Sequence, residues 1–413
     1  MSAAPADASA TTASSVSPAA GTAAPGARLA WLDALRGIGA VAVVAEHSLP
    51  WMMPVAYPRF LPLHLGLYGV MVFFLVSGYI IPASLERHGD VRRFWIGRFF
   101  RLYPLYLVVI TVVLAVSWWM PIREGVRREW STVPAHVTML LDTVQHGGLV
   151  DTMWTLSYEM VFYLLVTLLF LVGAHRRSGH LAILFGVASL VVGLVVTGAV
   201  TDGGWASYVS CVIFVVGMAC LITGRFRMAA ACALGVMGAA LTLFTSFVPW
   251  LGGTILAVMF TGTAIHRWQH GRGPLWPVLA AGALVGAVPL FAHQTGWRWV
   301  QPDMWLFTLA LAGLTFAAGM LLRERRIPAV LTWLGLVSYS LYLVHHPILR
   351  AVTYITGDLR SWPVHHQAII VGVAVALILV TSWLTYRYIE RPMQAVGRRL
   401  AARAGPRPAV SVS

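Results

Sequence analysis

The chain alternates long apolar segments with short polar turns over most of its length. A helix needs about 20 mostly apolar residues to cross the hydrocarbon core of a bilayer. Twelve segments of about that length predict membrane-spanning helices, and the pair within 228–266 fits either a tight hairpin or a broken helix. The twelve segments are 31–50, 64–85, 99–120, 154–173, 180–200, 205–223, 228–246, 249–266, 276–293, 303–322, 330–349 and 367–389.

Composition excludes a soluble protein. Hydrophobic residues make up 58% of the 413 residues and charged residues 11%, against about 45–50% and about 25% in soluble domains. We therefore predict an all-α, polytopic integral membrane protein with about ten to twelve transmembrane helices. The expected organisation is a disordered Ala/Ser/Pro-rich tail over 1–27, a transmembrane domain over 28–393 and a basic cytoplasmic tail over 394–413.

The net charge of +14 comes entirely from arginine, since lysine is absent. If the N-terminus lies inside, most arginines fall in the loops and tail assigned to the inner side, as the positive-inside rule requires. This distribution predicts an N-in, C-in topology in the plasma (inner) membrane. It also explains the positive charge without a nucleic-acid partner, and we expect none.

The first predicted helix carries ionisable residues that are expensive inside a membrane. Arg36 and His47 are eleven residues apart, so they lie within about 20° of one helix face and about 16 Å apart along the axis. Taken separately, Arg36 fits a side chain that extends to the inner surface, and His47 fits a helix cap. The shared face favours a functional pair.

Glu159 lies in the fourth predicted helix, about 7 Å below Trp154 and on the same face as Tyr163. An unpaired carboxylate at that depth is costly, so it should face a cavity or a basic partner. A structural ion pair and a catalytic role are both open for Glu159. Trp154 by itself is typical of the aromatic belt at a membrane interface.

The eleventh predicted helix ends with His345 and His346 before Pro347, close to the face that carries Tyr339. For one of the two histidines, the simpler expectation is that Pro347 ends the helix and leaves the side chain hydrated. With His47 and Glu159, however, His345 completes a group of two imidazoles and a carboxylate in the outer third of the membrane. Such a group suits acid/base chemistry.

Arginines also cluster near the predicted inner surface at 92, 93, 98 and 101. Arg98 and Arg101 share a helix face. Guanidinium groups bind phosphate in bidentate fashion, so this group suits a phosphorylated cytosolic ligand. Positive-inside anchoring explains the same cluster without any ligand.

Six stretches of the chain form an ordered set of motifs. They are LDALRGIGAVAVVAEH at 32–47, FFLVSGYII at 73–81, RRFWIGRFFRLYPLY at 92–106, WTLSYEMVFY at 154–163, GLVSYSLYLVHHPI at 335–348 and ERP at 390–392. In this order they resemble the motifs of the membrane-bound acyltransferase 3 family, over roughly 29–392. Gly97 stands where this family often has the first arginine of an Arg–Arg pair, Thr155 replaces a usual serine, and our count of twelve helices exceeds the family's usual ten.

The resemblance implies an O-acyltransferase that moves an acetyl or other short acyl group from cytosolic acyl-CoA to a hydroxyl. The acceptor would be a sugar, a surface polysaccharide or a macrolide-type metabolite. Acyl-CoA would be a co-substrate, with no other cofactor and no metal, and direct transfer and an acyl-enzyme both remain open. A transporter or flippase of a lipid-linked sugar or small metabolite is the main alternative, and a membrane sensor or scaffold is another.

The expected site residues follow from the matched motifs together with the helix geometry. His47 would act as general base, Arg36 would hold the phosphates of CoA, and Glu159 would orient or stabilise an imidazole. The residues expected to bind substrate are Arg98, Arg101, Trp154, Tyr163, Tyr339 and His345.

Overall fold

A computed structural model describes residues 29–54, 62–120, 129–196, 199–200 and 203–403. These residues are mostly helical and contain no strand, which confirms the all-α prediction. The predicted tail over 1–27 lies outside the described residues, as does 404–413. Of the predicted C-terminal tail, residues 394–403 are helical.

Fifteen α-helices make up the described part of the chain. Short 3₁₀ or π turns flank several of them. The helices are α1 Ala30–Met52, α2 Leu65–His88, α3 Val91–Val116, α4 Thr132–Thr138, α5 Trp154–Leu171, α6 Ser178–Val195, α7 Gly203–Thr223, α8 Arg227–Ala240, α9 Pro249–Gln269, α10 Trp276–Gly286, α11 Pro289–Ala292, α12 Pro302–Leu321, α13 Ala329–Thr356, α14 Val364–Thr385 and α15 Arg391–Arg403.

Each of the twelve predicted spans coincides with a helix, and within the described residues nine helical segments are long and apolar enough to cross a membrane. The three predicted spans outside that set are α1, α9 and α13. These helices are largely buried against their neighbours. Their polar residues therefore face protein, whereas a helix in contact with lipid must be apolar. The N-in orientation stays a prediction.

One helix extends well beyond its predicted end. The helix α13 continues through Pro347 to Thr356, because neighbouring helices can support a helix that proline by itself would end. The 228–266 region holds two helices separated by a short π turn. There α8 and a following π turn, Leu241–Thr245, precede α9.

Helix α1 lies between α2 and α13 and sets the direction of the site. The Gly66 amide donates to Glu46 at 3.2 Å, and the rings of Trp31 and Tyr79 lie 5.4 Å apart, so α1 and α2 are antiparallel. The end of the bundle that holds His47 is called the histidine end. We call the end that holds the start of α3, with Arg93 and Arg98, the arginine end.

Close helix crossings depend on glycine at two motif positions. A Cβ atom on Gly78 of α2 would lie 1.8 Å from the carbonyl oxygen of Met259 in α9, and one on Gly335 of α13 would lie 1.9 Å from that of Asp33 in α1. Neither carbonyl can move without displacing its helix. Small residues at such crossings let membrane helices approach closely.

Gly78→Ala is therefore expected to lower the stability of the protein by about 1–3 kcal/mol, as overpacking of a tight core does. Thermal unfolding of the protein in detergent measures the change. Gly282→Ala is the matched control, because Gly282 also lies in a helix but has open space around its Cα. Equal stabilities of the two variants would contradict the importance of the crossing.

Candidate active site

A chain of imidazole contacts lies at the histidine end, where α1 meets α13. His47 Nδ1 is 3.1 Å from His345 Nε2. His345 Nδ1 is in turn 3.0 Å from the carbonyl oxygen of Leu341. His345 is fully buried, whereas His47 is half-buried.

These contacts fix which nitrogen of each ring carries a proton. A carbonyl oxygen only accepts, so His345 Nδ1 must donate to Leu341. A fully buried imidazole is neutral unless a counter-charge supports it, so His345 Nε2 carries the lone pair and accepts from His47 Nδ1. The Nε2 lone pair of His47 is then left available as a base.

A second fully buried imidazole, that of His346, lies beside this chain. Its ring centre is 5.7 Å from that of His47. Its Nε2 atom lies 2.8 Å from Asp151 Oδ2, without the alignment of a hydrogen bond. Arg350 approaches Asp151 at 4.0 Å and places its guanidinium 4.7 Å from the ring centre of Trp51.

His345 and His346 are thus both buried. Neither is the hydrated residue at a helix end that we expected one of them to be. In this cluster of histidines, the carboxylate in contact with an imidazole belongs to Asp151 and not to Glu159. The physical reason is the helix rise, since Glu159 lies about 12 Å farther along α5. Sequence reasoning missed Asp151 because it precedes the predicted span.

Glu159 instead lines a small cavity between the two ends. The cavity has a volume of about 60 Å³, and Arg36, Tyr339 and Tyr342 also line it. Tyr163 donates its hydroxyl proton to Glu159. The charge of Glu159 also acts favourably on Arg36. The structure therefore brings the three predicted residues Arg36, Glu159 and Tyr339 to one cavity.

The predicted arginines of α3 lie next to this cavity. The charge of Arg101 is near enough to repel that of Arg36. The Arg98 guanidinium lies 5.2 Å from the ring centre of Tyr163. Arg98 and Arg101, with Arg93 and Arg398, line a second cavity of about 310 Å³ at the arginine end. We call this the α3–α15 cavity.

Two predicted binding residues have structural partners. The Tyr339 hydroxyl donates to the carbonyl oxygen of Leu102 at 2.8 Å, so only its ring is offered to the cavity. Trp154 packs its half-buried ring edge-on against Tyr158, with ring centres 6.0 Å apart. The structure does not bring Trp154 into the imidazole chain.

Glu390 is a site residue that the sequence pattern indicated only through the ERP motif. It is 3% exposed, and it accepts hydrogen bonds from Ser340 and Gln394, each at 2.9 Å. Its charge also acts favourably on Arg36 and Arg101. The closing motif thus supplies a buried counter-charge for the arginines between the two ends.

The sequence profile of a family described as an acyltransferase domain matches residues 29–387. The chain belongs to this acyltransferase family. This finding confirms the family that the motifs resemble, and with the apolar helices it makes the protein a multi-pass membrane acyltransferase. No solved structure matches the chain.

Named relatives agree with this assignment. The chain is 28% identical to acyltransferase MdmB of Streptomyces mycarofaciens, over 92% of this chain and 96% of that protein. It is 24% identical to peptidoglycan O-acetyltransferase OatA of Listeria monocytogenes, over 89% of this chain. It is 22% identical to O-acetyltransferase OatA of Staphylococcus aureus, also over 89%. The match spans only 56% and 57% of these two longer proteins. The names of these relatives do not support the transporter alternative.

Replacing Glu390 by alanine is expected to destabilise the protein by about 3–5 kcal/mol, because it removes a buried carboxylate whose charge favours Arg36 and Arg101. The midpoint of thermal unfolding in detergent reports this loss. Glu324→Ala removes a carboxylate that is 83% exposed at the same end and should leave the midpoint unchanged. A Glu390→Ala protein as stable as the wild type would rule out the counter-charge role.

Proposed function

We propose that the protein is a membrane O-acyltransferase that moves an acetyl or other short acyl group from acyl-CoA to a hydroxyl, with His47 as general base. The observation that carries the proposal is the chain Leu341–His345–His47, which leaves Nε2 of His47 free to accept a proton. Among relatives, two proteins named as O-acetyltransferases support hydroxyl acceptors.

The reaction follows from this protonation state. Nε2 of His47 accepts the proton of the acceptor hydroxyl as its oxygen attacks the thioester carbonyl carbon. The carbon–sulfur bond then breaks, and the CoA thiolate takes the proton back from His47. The products are the ester and free CoA. His345 acts as a positioning residue, since it holds the ring of His47 and its tautomer.

The distance between Arg36 and His47 suits the length of the donor. Along α1 the two residues are about 16 Å apart. The pantetheine arm between the diphosphate and the thioester is as long as about four residues of extended chain, roughly 14 Å. With the diphosphate held by Arg36, Arg98 and Arg101, the thioester therefore reaches His47.

The remaining charged groups are assigned supporting roles. Glu159, which accepts from Tyr163, balances the charge of Arg36 beside the path of the arm. Asp151 stabilises a positive charge on the imidazole cluster through His346. Tyr339 contributes its ring to the wall of the path. We assign no metal and no cofactor to this reaction, and acyl-CoA serves as a co-substrate.

The acceptor is proposed to reach His47 from the histidine end. A sugar, a surface polysaccharide or a macrolide-type metabolite fits this direction, with Trp154 near the entrance. The arginine end then faces the cytosol, where acyl-CoA is found, in the plasma (inner) membrane. This orientation agrees with the positive-inside rule.

His47→Ala is expected to lower the rate of CoA release by about 10²–10⁴-fold, the usual contribution of a general base. Purified protein with acetyl-CoA and a glycan acceptor, followed with a thiol reagent, measures the rate. His365→Ala is the control, because His365 is exposed and begins α14 at the same end. Normal turnover by folded His47→Ala protein would exclude His47 as the base.

Arg36→Ala is expected to raise the KM for acetyl-CoA roughly 10- to 100-fold, because a charge-assisted contact with phosphate is lost. Steady-state kinetics with varied acetyl-CoA provide the value. The control Arg325→Ala removes an exposed arginine at the arginine end. If only the KM for the acceptor changed, Arg36 would not hold the donor phosphates.

A further inference from the structure

A cavity of about 940 Å³ at the arginine end contains none of the residues assigned to the reaction. It opens between the last turns of α2 and α9 and the turn that follows α5, and we call it the α2–α9 cavity. Its volume is in the range of small-molecule sites, about 300–1,000 Å³. It is also about three times as large as the α3–α15 cavity, at 310 Å³.

The α2–α9 cavity is positively charged. Arg87, Arg176 and Arg272 line it and are exposed. Within the described part of the chain none of the three forms an ion pair. The lining carboxylate, that of Glu86, is already bound by Arg267. The three exposed guanidinium groups are therefore available to a phosphorylated ligand.

Aromatic rings form part of the lining as well. Tyr79 and His266 pack edge-to-face, with ring centres 4.8 Å apart, and Phe170 lies 5.4 Å from His175. Nδ1 of His175 is buried and has no hydrogen-bond partner among the described residues. Flat apolar rings beside a polar atom suit a heteroaromatic base, which stacks on its faces and hydrogen-bonds at its edge.

The cavity also lies at the right distance from His47. The ring of Tyr79, in its lining, is 5.4 Å from Trp31. Trp31 precedes Arg36 by five residues, so the cavity is about 8 Å farther from His47 than Arg36 is. Ser84 lines both this cavity and the α3–α15 cavity, so the two adjoin.

We propose that the α2–α9 cavity binds the nucleotide part of the acyl-CoA donor, the purine base and its ribose 3′-phosphate. The proposal rests on the function proposed above and extends it. The diphosphate lies where the α3–α15 cavity, lined by Arg98 and Arg101, approaches Arg36. The base lies among Tyr79, Phe170 and His266, and the ribose phosphate contacts Arg87 and Arg272.

The test compares two donors on the Arg87→Ala/Arg272→Ala double variant of the full chain. Acetyl-CoA carries the nucleotide, whereas acetyl-pantetheine lacks it. The KM for acetyl-CoA should rise about 10- to 100-fold, while the KM for acetyl-pantetheine should keep its wild-type value. Arg326→Ala, which removes an exposed arginine at the same end, should change neither value.

Competition identifies what the cavity recognises. Adenosine 3′,5′-bisphosphate should inhibit the wild type in competition with acetyl-CoA, and the double variant should be inhibited about 10- to 100-fold more weakly. Inorganic diphosphate at equal ionic strength should not reproduce this difference between the two proteins. If inorganic diphosphate did so, the cavity would bind phosphate alone and the proposed recognition of the base would be wrong.

The outcomes separate this inference from the proposed function. The choice of donor itself is wrong if the wild type releases no CoA from acetyl-CoA and does not bind adenosine 3′,5′-bisphosphate. A wild type that uses acetyl-CoA, with an unchanged KM in the double variant, overturns only the assignment of the cavity. An equal rise of KM for both donors also overturns it, because that effect would act on the part they share.

Discussion

The parallel packing of α1 on α13 is the interaction on which the site depends. It brings the Asp33 carbonyl against Gly335, where no Cβ fits, and it places His47 Nδ1 3.1 Å from His345 Nε2. Because the two helices touch through backbone at one end, their register at the other end is set closely. A shift of one residue, about 1.5 Å along the axis, would break the imidazole contact.

The polar residues of the interior explain why the core helices are less apolar than the outer ones. Lipid cannot satisfy a carboxylate or a guanidinium, so these groups are retained only where protein or water surrounds them. The carboxylates of Glu159 and Glu390 act as counter-charges for Arg36, and Asp151 contacts the imidazole of His346. The interior therefore forms a polar axis inside an apolar wall, from the arginine end to the histidine end.

This axis suits a reaction whose two substrates arrive from opposite sides. In the proposed reaction, a phosphorylated donor binds at the arginine end, and its reactive group reaches His47, about 16 Å from Arg36 along α1. An acceptor at the other end then never has to cross the bundle. The small volume beside Arg36 and Glu159, about 60 Å³, has no room for a nucleotide.

Apolar segment length determined the all-α membrane fold, since a bilayer admits little else, and helical spacing placed Arg36 on the face of His47. The motifs also indicated His345, Glu159 and the arginines of α3. Tertiary structure decided that α13 continues through Pro347 and that Asp151, rather than Glu159, contacts the imidazole of His346. It also decided that Glu390 is a buried counter-charge. Helical period fixes neighbours within one helix, whereas contacts such as His346–Asp151 and Ser340–Glu390 join residues far apart in the chain, and only the packing of whole helices brings those together.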